Sequence, residues 1–109
     1  MAFSQDYLEF ILEQLGKFGN ITYKRMFGGV GFYKEGIMFG GIMGGVLHLK
    51  VNDITRPQYE TMGMGSFFDD GKNKTKPKYY EVPIEIIEDR EELAKWAAKA
   101  YGIAKKLKK

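Results

Sequence analysis

Residues 21–51 constrain the fold of this chain most strongly, because they alternate short apolar segments with glycine-rich turns. Four segments of this stretch have the composition of β-strands: ITYKRM, VGFYK, IMFGGIM and VLHLKV. Glu35-Gly36 and Gly44-Gly45 separate the last three, and such pairs favour two-residue hairpin turns because glycine accepts a positive φ. The stretch therefore predicts an antiparallel sheet of consecutive strands.

Helices are predicted on either side of these strands. Ser4 is a suitable cap for a helix over residues 5–18, in which apolar side chains recur at helical spacing. A second, short helix is predicted at about Ile54–Met62, and the segments SFFDD and KYYEV after it predict two more strands. Asp89 begins a capping pattern at the start of the last helix, whose apolar stripe includes Trp96. This order predicts a two-layer α+β domain, with helices on one face of an antiparallel sheet.

The alternation along the strands divides their side chains between the two faces of the sheet. A turn at Gly44-Gly45 places Met38, Ile42 and Leu47 on one face, the expected core side. The opposite face retains apolar side chains, which predicts a surface where two copies of the chain, or the chain and another protein, associate. The members of this predicted interaction face are Phe32, Ile37, Phe39 and Met43.

Composition removes most catalytic chemistries. The chain has no cysteine and one histidine, His48, which excludes a disulfide scaffold, a thiol nucleophile and zinc sites built from cysteine or several histidines. Ser4 and Ser66 lack a nucleophile signature, and the glycines do not form a phosphate-binding loop. Asp69-Asp70 precedes a run of lysines and predicts a turn rather than a cation site. We therefore predict no enzymatic activity, no catalytic or metal-binding residues and no cofactor.

The hydropathy pattern predicts a cytoplasmic protein. The longest stretch without a formal charge, residues 36–49, has 14 residues, whereas a membrane-spanning helix needs about 18 or more. Acidic residues interrupt the N-terminal helix, so it does not resemble a secretory signal.

The basic charge of the chain is local. Net charge is +3, but without the eight lysines of two short runs nine basic residues remain against fourteen acidic ones. One run is the C-terminal lysines, Lys105, Lys106, Lys108 and Lys109. The other is the lysine loop, Lys72, Lys74, Lys76 and Lys78, whose strict alternation places four side chains on one side of an extended segment. We favour a solvated loop, with contacts to nucleic-acid phosphates or to an acidic protein as the alternatives.

Several short motifs occur in an order that resembles the N-terminal domain of the TfoX/Sxy family. They include RMFGG at residues 25–29 and YYEVP at residues 79–83. The family consists of bacterial regulators of competence genes. The resemblance covers nearly the whole chain and implies a two-layer α+β fold similar to that of secretion chaperones, without known enzymatic activity. The matching residues, which we interpret as structural, are Arg25, Met26, Phe27, Gly28, Gly29, Gly31, Tyr80, Pro83 and Trp96.

The longer regulators of this family carry a second, C-terminal domain, whereas the resemblance here ends with the N-terminal one. We therefore expect a stand-alone domain over residues 1–109, and competence regulation does not transfer directly. Our first hypothesis is a non-enzymatic regulatory domain, a transcriptional co-regulator that binds a protein partner and forms a homodimer. The second is direct nucleic-acid binding through the lysine loop and the C-terminal lysines.

Overall fold

The computed structural model of the chain describes residues 4–26, 28–66 and 78–107. Within these residues, five antiparallel strands form one sheet in which they follow each other in chain order. The strands are β1 (Thr22–Met26), β2 (Gly29–Lys34), β3 (Ile37–Met43), β4 (Val46–Lys50) and β5 (Tyr79–Glu81). The helices are α1 (Gln5–Gln14), which a 3-10 turn at Leu15–Lys17 continues, α2 (Arg56–Thr61), α3 (Ile84–Ile87) and α4 (Arg90–Leu107).

Both predicted hairpin turns are confirmed. Glu35-Gly36 joins β2 to β3 with φ angles of +53° and +80°, and Gly44-Gly45 joins β3 to β4 with φ angles of +61° and +87°. A further hairpin, which the sequence did not predict, joins β1 to β2, where Met26 pairs with Gly29 and Gly28 has a φ of +76°. Positive φ at these positions matches the twist of the flanking strands.

A β-bulge between β2 and β3 changes which side chains share a face. Phe32 pairs with Gly40, whereas the next residue, Tyr33, pairs with Met38, so Phe39 is an extra residue on β3. Alternate residues of a strand point to opposite faces of the sheet. One extra residue therefore sends the β3 side chains on one side of the bulge to the face opposite to the one that unbroken alternation predicts.

The predicted interaction face is therefore wrong for Phe32 and Phe39. Both are 0% exposed and belong to the hydrophobic core. Ile37 pairs with Lys34 and lies on the same face of the sheet as Phe32, so its predicted place on the interaction face is wrong as well. Met43 lies on the opposite face, which faces away from the core, as predicted. The physical reason is the bulge, which the strict alternation assumed from the sequence does not include.

The core lies between the helices and one face of the sheet. Leu8 and Ile11 of α1 and Leu93 of α4 are 0% exposed and form one cluster with the sheet side chains Val30, Phe32, Phe39, Ile42, Leu47 and Leu49. Each large apolar side chain buried in this way contributes about 1.5–3 kcal/mol. The predicted α+β class is confirmed.

The helix boundaries follow from local capping. The hydroxyl of Ser4 accepts a hydrogen bond from the Tyr7 N–H at 3.0 Å, as its position before α1 predicts. Asp89 accepts hydrogen bonds from the N–H groups of Glu91 and Glu92 at the start of α4, at 3.1 and 3.2 Å. Helix α2 begins two residues later than predicted, at Arg56. The predicted strand SFFDD lies outside the described residues except at its first position, Ser66.

Candidate functional site

The residues around the β1–β2 hairpin connect it to the first helix. Arg25 is exposed, and its Nη2 donates a hydrogen bond of 2.8 Å to Oε1 of Gln5 in α1. Gly31 is buried within the sheet and pairs with Lys24. Phe27 and the side chain of Met26 lie outside the described residues.

Three further residues of the family motif lie where α2, β5 and α4 meet. Tyr80 is 5% exposed, and its hydroxyl donates a hydrogen bond of 2.6 Å to Oε2 of Glu60. Trp96 is 6% exposed and contacts the ring of Tyr59 edge-on, with 4.8 Å between centroids. Pro83 is buried two residues after the end of β5, immediately before α3. These contacts hold α2 against the sheet and α4, which supports the structural interpretation of these residues.

The sheet face away from the core, here called the outer face, is lined by a different set of side chains. Its apolar and aromatic members are half-buried, and none belongs to the hydrophobic core that the described residues form. Those that carry apolar or aromatic groups are Tyr33, Met38, Met43, Val46 and Tyr79. Of these, the sequence placed Met43 and Val46 on this face and named Met43 as a candidate. It assigned Met38 to the core face, and the bulge brings Met38 to the outer face.

One row of residues crosses the outer face from edge to edge. Successive strand pairs place Lys24 on β1 opposite Gly31, then Gly41, then His48, and finally Glu81 on β5. A positive charge and a negative charge thus stand at opposite ends of the row. Within the part of the chain that the structure describes, neither Lys24 nor Glu81 makes an ion pair.

His48 lies in this row and is 5% exposed. Its Nδ1 is 3.0 Å from the carbonyl oxygen of Val46, and burial lowers the pKa of the imidazole below its ordinary value. The ring is therefore neutral near pH 7. Among the described residues, no three histidine or carboxylate side chains lie together as metal ligands would.

The described part of the lysine loop is its last residue, Lys78, which is exposed. Lys50 lies nearby, with its Nζ 4.9 Å from the ring centroid of Tyr79. Burial and the charge of Lys78 both lower the pKa of Lys50. Lys105 and Lys106 are exposed at the end of α4, and the other lysines of both runs lie outside the described residues.

An open groove of about 740 Å³ separates α1 from the start of α4. Phe10 lines it and is 37% exposed. Arg90 also lines the groove and donates hydrogen bonds to Oε1 of Gln14 and Oε2 of Glu13, at 3.0 and 2.9 Å. This groove was not predictable from the sequence, since it depends on how two helices that are distant in the chain pack.

No helix in the described ranges combines the length and the apolar composition needed to cross a bilayer. The fold is therefore a small α+β domain with two different sides. On one side the helices cover the core, and on the other side lies the outer face of the sheet.

Comparison with known families agrees with this description. The family model described as the TfoX N-terminal domain matches residues 13–104, which is most of the chain. The chain therefore belongs to the TfoX N-terminal domain family, a regulatory family associated with competence. No curated protein matches the sequence.

Proposed function

We propose that this protein is a non-enzymatic regulatory domain, a cytoplasmic transcriptional co-regulator that acts through protein–protein contacts. The observation that carries the proposal is the outer face, where five apolar or aromatic side chains lie outside the core of a domain from a regulatory family. A contiguous patch of apolar side chains outside the core is typical of a protein-interaction surface, whereas apolar residues scattered singly are not.

A transcript measurement in the native host tests this proposal. Deleting the gene should change the transcript levels of a defined set of genes, and the wild-type protein should restore them. Met43→Lys adds a charge to the outer face and should fail to restore them, because a desolvated ammonium group opposes association. Lys99→Glu alters an exposed residue on α4 and is the matched control, which should restore them.

Two results would contradict the proposal. One is a deletion strain with unchanged transcripts. The other is full restoration by Met43→Lys at wild-type protein levels, since the outer face would then have no role in regulation.

A second candidate function is direct nucleic-acid binding. It is favoured by the lysines that come together at the end of the lysine loop, where Lys78 is exposed near Lys50. Burial, and then the charge of Lys78, lower the pKa of Lys50. If the loop contacts phosphates, replacing Lys72, Lys74, Lys76 and Lys78 with glutamine should reduce the slope of log affinity against log salt by up to about four units.

We expect weak, roughly millimolar binding without sequence preference, because the rest of the chain carries an excess of acidic residues. Replacing the exposed Lys17 and Lys95 of the helix layer with glutamine removes two charges and is the control, since it gives the change in slope per charge removed away from the loop. Tight duplex binding at physiological salt that only the loop variant loses would favour this second function over the first.

A further inference from the structure

We infer that the outer face binds a second copy of this chain, with the two sheets stacked face to face around a two-fold axis that runs along β3. This inference rests on the proposed protein-contact function and names the partner that the same face takes. The strand register distributes charge, aromatic groups and glycine across the outer face in a pattern that suits self-association.

A two-fold axis along the central strand exchanges the two sides of the sheet. It stacks β1 of one copy over β5 of the other, and β2 over β4, while the strand directions stay aligned as in other face-to-face sheet packings. A row that crosses the sheet is then placed over the same row in reverse order. The first residue of a row in one copy is thus placed over the last residue of the same row in the other copy. Such a dimer forms only if these opposed residues are chemically complementary.

The central row meets this requirement. Its reversal brings Lys24 of one copy over Glu81 of the second copy, and the symmetry makes the same contact twice. His48, which is only 5% exposed within its own copy, comes to lie over Gly31 of the second copy, so no side chain of the second copy collides with it. Gly41, the middle residue of the row, meets itself on the axis.

The neighbouring positions are also complementary. Tyr33 follows Gly31 by two residues on β2, and Lys50 follows His48 by two residues on β4, so the axis places the aromatic ring of one copy over the ammonium group of the other. Such cation–π pairs are favourable, more so when desolvated. Lys50 already lies 4.9 Å from the Tyr79 ring of its own copy.

The residues along the axis supply the apolar centre. Met38 and Met43 are half-buried on β3 and meet the same residues of the second copy. Methionine side chains are flexible and fill irregular contact surfaces well. The domain measures 34 × 30 × 29 Å, so one whole face is of the order of the roughly 800 Å² per partner that a stable interface buries.

Sedimentation equilibrium of charge variants tests this inference. The wild-type protein should form a dimer, and Lys24→Glu should raise its dissociation constant about tenfold or more, because two attractive contacts become repulsive. Glu81→Lys should act similarly. The double variant Lys24→Glu/Glu81→Lys restores opposite charges across the interface and should return to near wild-type association, while Lys99→Glu on α4 should have no effect.

Cross-linking gives a second measurement that does not depend on the charge variants. The chain contains no cysteine, so Met43→Cys introduces a single thiol, which the axis places near its counterpart across sheets about 10 Å apart. A short bis-maleimide should link these two thiols into a covalent dimer. The same reagent should not link Ala98→Cys, because Ala98 is exposed on α4 in the helix layer.

Several outcomes would overturn the inference. A monomer at high protein concentration would do so, as would a dimer that Lys99→Glu disrupts and Lys24→Glu does not, or a double variant no tighter than the single ones. Equal cross-linking of both cysteine variants would place the contact elsewhere. These results concern the dimer alone. The transcripts of the deletion strain test the proposed regulatory function independently of whether a dimer forms.

Discussion

Alanine replacements of Phe39 and Met38, made one at a time, test the β-bulge that decides which residues face the core. Phe39 is 0% exposed, and its ring meets Phe18 edge-on with 5.1 Å between centroids. Removing a buried phenyl ring leaves a cavity and costs about 3–5 kcal/mol of unfolding free energy. Met38 is half-buried outside the core, so Met38→Ala should cost about 1 kcal/mol or less.

Urea unfolding monitored by circular dichroism measures both values. The expected loss for Phe39→Ala is a large part of the about 5–15 kcal/mol of stability that small domains have in total. In a thermal melt, the same loss should lower the melting temperature by about 12–30 °C. Both replacements are best made in the Lys24→Glu background, so that dimerisation does not contribute to stability. A larger loss for Met38→Ala than for Phe39→Ala would refute the bulge, since an unbroken alternation places Met38 in the core.

Three further predictions concern single residues. Glu35→Asn should raise the free energy of unfolding by about 0.5–1 kcal/mol, because asparagine tolerates the φ of +53° better than glutamate does. This gain should exceed the loss of the exposed hydrogen bond that Tyr101 donates to Glu35. An unchanged or lower melting temperature would contradict the prediction. Because the pKa of His48 is lower in the folded state, the free energy of unfolding should be undiminished above about pH 6.5 and should fall as the pH drops below that value. His48→Gln should flatten this part of the curve of unfolding free energy against pH. An equally steep curve for the variant would exclude His48 as the source of the pH dependence. Gln14→Leu should lower the free energy of unfolding, measured with urea, by about 1–3 kcal/mol. The Gln14 side chain is 5% exposed and donates a 2.8 Å hydrogen bond to the carbonyl of Ile87, which would lose its donor. A loss below about 0.5 kcal/mol would show that this buried carbonyl does not need that donor.

The features that the sequence predicted correctly are those set by local chemistry. Glu35-Gly36 and Gly44-Gly45 determine two hairpins because few residues accept positive φ, and the same turns fix the pairing of Ile42 with Leu47. Ser4 marked the start of α1 in the same way, through a hydroxyl that accepts a backbone hydrogen bond. Together with the spacing of apolar residues, these local signals were enough for the α+β class.

The bulge was not predictable by the same reasoning, because it depends on how β2 and β3 fit together. A signal was nevertheless present at Gly40 and Gly41. A Cβ on Gly40 would lie 2.5 Å from the carbonyl oxygen of His48, and one on Gly41 would collide with the carbonyl oxygen of Val30. Two adjacent glycines in a strand indicate a close backbone approach or an irregular register.

The candidate site was predictable only in part for the same reason. Met43 was assigned to the correct face, since it lies beyond the bulge, next to the Gly44-Gly45 turn. Lys24 and Glu81 are 57 positions apart in the chain, and only the complete strand order brings them to opposite ends of one row. No short motif contains that relationship.

Affinity capture from the native host, with and without nuclease treatment, tests the central claim most directly. Tagged wild-type protein is recovered, and bound proteins are identified and quantified by mass spectrometry. A regulator that acts through protein contacts should retain an untagged copy of itself and components of the transcription apparatus after nuclease digestion. Loss of all associated proteins on digestion would contradict the account, because the contacts would then depend on nucleic acid.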